Sequence, residues 1–223
     1  MKIGVRLPSR FTDAGDYLAD VRALDAIGVN SLWLPDDGFD PWLMLAGIAT
    51  VTGRTRLAVS VSARDDEASD GLARRMATLD RLSRGRVLTI VAPASELVGI
   101  EALIARTRRL GPGPVMLDAL DVGHAMVGAR LADGLVVAIE PADCHAVFDQ
   151  ARDRRQRDRL TAPFELWARV ASPDGREHWR SMLAAAVADG ATGVIVPAGP
   201  RLLDLLRNAD EEDDRSDLIL AQG

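Results

Sequence analysis

At 223 residues the chain is long enough to bury a full core without disulfides or metals, and it suits one α/β barrel better than two ordinary domains. Thirty-three acidic against 27 basic residues, a net charge of -6, exclude a broad nucleic-acid surface, which needs a clustered positive face. One cysteine, Cys144, cannot make an internal bridge; MKIGVRLPSR has no signal-peptide core, and no apolar run reaches membrane-spanning length, so the expectation is a cytoplasmic protein with no membrane contact.

Residues 2–7 (KIGVRL) predict a first strand ended by Pro8, and residues 16–28 a helix with Leu18, Val21, Leu24 and Ile27 on one face before a glycine stop. Residues 31–35 (SLWLP) form the second strand. Asp40 before Pro41 is an N-cap with proline in the first turn, opening a helix that is apolar nearly all round. A helix on the outside of a barrel should keep one polar face, so the 41–53 helix is expected to lie in a homodimer interface.

Residues 56–63 (RLAVSVSA) predict the third strand, followed by an acidic loop at 65–70. In 76–93 (MATLDRLSRGRVLTIVAP) a helix ends at Gly85, which suits a left-handed C-cap, and Val87, Leu88, Ile90 and Val91 make a strand apolar on both faces. Further along, helices are expected over 95–110, 123–133, 142–158, 177–189 and 200–208. Strands are expected over 115–119, 135–140, 164–171 and 193–197. Eight strands alternating with eight helices through short connections predict a closed (β/α)8 TIM barrel over 1–209. An acidic tail over 210–223 is too charged to pack. The run 152–159 (RDRRQRDR) is interrupted by Asp153 and Asp158 and reads as a solvated helix face.

Active sites of such barrels gather at the carboxyl ends of the strands. By position the candidates are Arg6 after the first strand, Asp36 and Asp37 after the second, Ser60, Ser62 and Arg64 at the third, and Ser95 and Glu96 after the fourth. Asp118, Glu140 and Arg169 end the next three, and Gly199 and Arg201 follow the last. Asp37 and Glu96 are the acid–base candidates, against the plainer readings of a solvated carboxylate and a helix N-terminal charge. Gly199-Pro200-Arg201 resembles a phosphate-holding turn and equally a plain helix start. His124, His145 and His178 fall on three different helices, with no carboxylate or second histidine at i+3 or i+4 in a metal-site pattern, so no metal is expected.

Three strings together resemble the luciferase-like superfamily of flavin- and deazaflavin-dependent oxidoreductases: SLWLPDDGFDPWLMLAGIATVTGRTRLAVSV, LARRMATLDRLSRGRV and GARLADGLVV. The resemblance implies a compact barrel without the family's usual insertions, binding FMN or coenzyme F420 at its mouth for hydride transfer or monooxygenation of a small organic substrate. It places the cofactor against Ser60, Val61 and Ser62 with a non-prolyl cis bond at Ser60-Val61, and adds Arg6, Asp36, Gly199 and Arg201 as further contacts. Where relatives carry histidine after the second-strand acid this chain has Asp37, and it lacks their glycine-rich phosphate loop. The alternative is a non-catalytic barrel that has lost the cofactor and serves as a binding or partner subunit; a third is an unrelated barrel enzyme holding a phosphorylated substrate at Gly199 and Arg201.

Overall fold

The computed structural model describes residues 1–62, 69–92, 99–137 and 141–207. Glu96, Arg64, Ser95, Glu140, the acidic loop and the C-terminal tail named above lie outside the described residues. Eight strands, β1 (Lys2–Arg6), β2 (Ser31–Leu34), β3 (Arg56–Ser62), β4 (Val87–Ala92), β5 (Val115–Ala119), β6 (Gly134–Val137), β7 (Glu165–Arg169) and β8 (Gly193–Pro197), alternate with eight helices. The strands pair in parallel in chain order and β8 closes onto β1. This is a TIM barrel.

The helices are α1 (Ala14–Ile27), α2 (Pro41–Val51), α3 (Ser69–Ser83), α4 (Ile100–Leu110), α5 (Val122–Leu131), α6 (Pro141–Arg157), α7 (Arg176–Ala188) and α8 (Leu202–Arg207). Their starts follow local chemistry. The Asp13 carboxylate accepts from Asp16 N, so α1 begins two residues before the expected position, and the Asp40 side chain caps α2 through Trp42 N and Leu43 N. Gly85 takes the left-handed conformation after α3, at φ +78°, and its N–H reaches back to Asp80 O. The later strands are shorter than the apolar runs suggested: β7 spans Glu165–Arg169 rather than 164–171.

The barrel lumen is filled in layers. At the amino-terminal end Glu165 receives Lys2 Nζ at 2.5 Å, Arg56 at 2.8 Å and Trp167 Nε1 at 2.8 Å. Above it Trp33 and Trp167 meet with ring centroids 5.5 Å apart, surrounded by Ala58, Leu88, Met116, Val136 and Ile195. The two indoles fit because a strand neighbour of each is glycine. A Cβ on Gly4 would stand 2.3 Å from Trp33 Nε1, and one on Gly193 would stand 2.6 Å from the Trp167 ring. Burial of Leu32, Val59, Val91, Leu117, Leu135 and Val194 on the opposite strand faces joins the barrel to its helices.

Among the described residues no helix is long and apolar enough to cross a membrane. Helix α2 buries Trp42, Leu45, Ile48 and Ala49 against the barrel, while Leu43 on its outer side is 74% exposed beside Phe39, at 47%.

Candidate active site

At the carboxyl ends of the strands a cavity of about 410 Å³ opens. Trp33 (β2), Ile90 (β4) and Ile195 (β8) supply its apolar floor. Arg6, Asp36, Ser60, Ser62, Ala92 and Arg169 stand around it. Four of the residues expected to hold a cofactor, Arg6, Asp36, Ser60 and Ser62, are therefore brought together. Alternation along β3 does this: residues at even positions face the lumen, and the next one turns away.

Val61 is that next residue. Only 1% exposed, it packs in the layer between strands and helices, so its side chain does not face the cavity. The Ser60-Val61 bond is trans, which overturns the expected cis link: no cis bond occurs among the described residues. The physical reason is the ladder, since Ser60, Val61 and Ser62 stay in unbroken register with Ile90, Val91 and Ala92 of β4. Gly199 is also elsewhere, lining an apolar cleft of about 400 Å³ between α1 and α8 with Tyr17, Val21 and Leu203; Arg201 is exposed beyond it.

Two ion pairs organise the mouth, and they differ in kind. Arg6 and Asp37 meet at 3.5 Å with both side chains about half exposed, a contact that water and salt weaken. Arg169 and Asp118 meet at 2.7 Å, with Asp118 only 15% exposed. The other oxygen of Asp118, Oδ1, is buried without a donor. A second cleft of about 380 Å³ adjoins the mouth across Arg6 and Pro35 and adds Ser9 and Arg10.

One part of the histidine reading is overturned, since a carboxylate does stand at i+4 from His145. His145 Nε2 lies 3.0 Å from Asp149, one helical turn on; His124 Nδ1 lies 2.8 Å from Asp121, and His178 Nδ1 lies 3.6 Å from Asp174. Spacing at i+4, i-3 or i-4 puts each carboxylate on the same helical face or just before the helix start. A backbone hydrogen bond from His124 and its ring hold the Asp121 carboxyl below the usual range. None of the three histidines lines the mouth cavity, and among the described residues no group of three or more His, Cys, Asp or Glu is placed to hold a metal ion.

Sequence position had marked Asp118 and Arg169 as strand-end residues but gave no sign of their pairing, 51 residues apart. Trp33, Ile90 and Ile195 read in the sequence only as parts of apolar strands, and Arg10 is not among the candidates. Only Trp33, in SLWLP directly before the acidic pair, offered a signal: a large ring one step below a strand's carboxyl end.

Comparison with known proteins agrees with this geometry. Residues 1–103 match the family model described as luciferase-like monooxygenase. Over those residues the chain is similar to the luciferase-like family. A stretch of 58 residues is 45% identical to an uncharacterized protein of Mycobacterium tuberculosis (strain ATCC 25618 / H37Rv), covering 24% of this chain and 21% of that protein. The match thus spans about a fifth of the curated relative's length.

The barrel is shared with the coenzyme F420 dependent tetrahydromethanopterin reductase of Methanopyrus kandleri, at TM-score 0.75 and 11% identity over 94% of this chain and 97% of that one. It is shared also with EDTA monooxygenase (EmoA) of Chelativorans sp. BNC1, at 0.72 and 10% over 94% and 92%. An F420-dependent secondary alcohol dehydrogenase, solved with an F420-acetone adduct, aligns at 0.76 and 10% over 93% and 97%. At such identities the likeness is one of fold.

Proposed function

We propose that this luciferase-like barrel is an oxidoreductase that seats FMN or coenzyme F420 at its mouth and acts on a small organic substrate. The observation that carries the reading is the cavity over Trp33, Ile90 and Ser60, open at the end of the barrel where active sites gather. A flat ring fits that wall: an indole, a branched aliphatic chain and a hydroxyl, with the charged groups at the edges. Arg6 and Arg10, which share the adjoining cleft, would hold a phosphate. The bound group would supply hydride, or a reduced ring able to react with oxygen.

The chain's own residues do the rest. Trp33 and Ile195 exclude water from the floor, Ser60 offers a hydroxyl to the ring edge, and Asp37, in the adjoining cleft beside Arg6, is one carboxylate for proton transfer, with Asp36 lining the cavity itself. Glu96 keeps its place as the second acid–base candidate from its sequence position after β4. The luciferase-like protein works as a cytoplasmic homodimer in this reading, joined through α2, whose exposed Leu43 adjoins an apolar cleft with Phe11, Phe39 and Met44. A strictly monomeric mass at micromolar concentration would remove the dimer.

Titration of the purified protein with FMN and with F420, followed by the absorbance and fluorescence of each cofactor, tests the reading. Saturable binding of one is expected. A flat response to both would favour the second reading, a non-catalytic partner subunit, which the regular trans backbone at Ser60-Val61 supports.

A further inference from the structure

The loop after β1 has two sides, and each lines a different hollow. Ser9 and Arg10 stand with Arg6, Pro35 and Asp37 around the cleft of about 380 Å³ beside the mouth. Phe11, the next residue, stands with Phe39, Leu43 and Met44 around an apolar cleft of about 430 Å³. One short stretch is thus shared between a charged hollow and an apolar one. It is also tied down. Phe39 N donates to Ser9 O at 2.9 Å, and the Tyr17 hydroxyl donates to Pro8 O at 3.1 Å. The approach to the loop before α2 is so close that a Cβ on Gly38 would stand 2.2 Å from Ser9 O. The Phe11 ring lies 5.0 Å from Tyr17 and 5.1 Å from Phe39. Arg10 sits between a held carbonyl and a packed ring, so the seating of Phe11 sets the reach of Arg10.

Charge indicates what covers the apolar side. Phe39 is 47% and Leu43 74% exposed, and α2 has no charged side chain along its 11 residues, in a chain of which 27% is charged. Where a surface meets its own copy about a twofold axis, a charge near the axis faces its like, which costs free energy. A face without charge therefore suits a second copy of this chain. Covering Phe11 and Phe39 makes any shift of the loop costlier, because apolar surface would then have to leave a contact as well as a ring stack. On the other side, the cleft holds two arginines against one carboxylate, Asp37, whose contact with Arg6 is long and exposed. An anion there would draw Arg10 inward and settle the same loop from within. We propose that the Arg6 and Arg10 cleft is complete only when a second copy covers Phe11, Phe39 and Leu43. Anion binding and pairing of two copies then strengthen each other by one common factor. This rests on the oxidoreductase reading for the nature of the anion, a cofactor phosphate.

Sedimentation equilibrium of the full chain in inorganic phosphate, and in chloride of equal ionic strength, separates specific binding from screening. The dimer dissociation constant is expected to be at least about fivefold lower in phosphate. Leu43→Glu, which sets like charges face to face, should stay monomeric and bind phosphate at least about fivefold more weakly by calorimetry. Arg10→Met should pair as wild type does in chloride and gain nothing from phosphate. Equal dissociation constants in the two salts, undiminished phosphate affinity in Leu43→Glu, no phosphate binding, or a monomer throughout would overturn the inference. If Leu43→Glu fails to melt cooperatively, Thr50→Arg, also exposed on α2, takes its place. Titration with FMN and F420 keeps the two readings apart. Phosphate-linked pairing with neither cofactor bound would sink the oxidoreductase reading alone, and cofactor binding without linkage would sink this inference alone.

Discussion

The two ends of the barrel are built to opposite specifications. At the amino-terminal end, side chains tie the returning loops to the strands. Asn30 Oδ1 accepts from Ile3 N, and the Asp25 carboxylate accepts from Gly53 N, Arg54 N, Thr55 N and Thr55 Oγ1. Arg86 donates to Ser83 O, Thr52 Oγ1, Thr55 O, Ala49 O and Thr52 O. Asp133 takes Val115 N and Arg108, and Thr192 Oγ1 bonds both the N–H and the carbonyl of Leu166. At the mouth, by contrast, the described residues around the cavity form two ion pairs. One end is spent on stability, the other held in reserve for ligands.

That contrast predicts where substitutions register. The largest effect should come from Arg86→Met, which strands several carbonyl acceptors at once and should cost on the order of 3 kcal/mol. Denaturant unfolding checks it, and a midpoint unchanged from wild type would contradict the role given to this residue. Asp25→Ala releases three backbone N–H groups and should cost about 2 kcal/mol by the same measurement.

Acid should act on the same end. Burial raises the Asp25 carboxyl, yet hydrogen bonds from Gly53, Thr55 and Arg54 outweigh it and hold the group at about 2. For Glu165 burial is likewise outweighed, by Arg56, Lys2 and Trp167, and the group also sits at about 2. In an unfolded chain both would titrate near 4. Their stabilisation is thus complete above pH about 5 and is lost as pH falls toward 2. A melting series from pH 6 to pH 2 should show that decline, and Glu165→Gln should flatten part of it. The smallest effect belongs to the mouth: Arg6→Met should move stability by about 0.5 kcal/mol or less, since its contact with Asp37 is long and exposed. A drop comparable to that of Asp25→Ala would erase the distinction between the ends.

The same division explains what could be read from the sequence. Parallel strands covered on both faces are continuous apolar runs, so GVIVP and LAVSV announced themselves, and glycine stops such as Gly28 and Gly85 marked the helix ends. Parts of the family-like strings turn out to sit at the stable end. Thr52 of ATVTGRTRL and Arg86 of ATLDRLSRGR hydrogen-bond each other at 3.0 Å, and Asp133 of ADG anchors Val115. These segments announce the barrel, while Trp33, Asp36, Asp37 and Ser60 of the first string stand at its mouth.

The mouth was less legible because its parts look like something else. Trp33, Ile90 and Ile195 obey the same alternation as core residues, and only their height along the strand makes them a floor. Arg169 and Asp118 come from strands two apart in the ring, and no local pattern joins them. Gly199 and Arg201 fitted a general expectation for barrel phosphate sites, but Gly199 lines the cleft beside α1 and neither lines the mouth cavity.

Trp33 and Trp167 together close the middle of the barrel, with the Glu165 cluster sealing it below. No passage runs through the molecule along its axis. Whatever binds at the mouth must therefore enter and leave by the same end of the barrel.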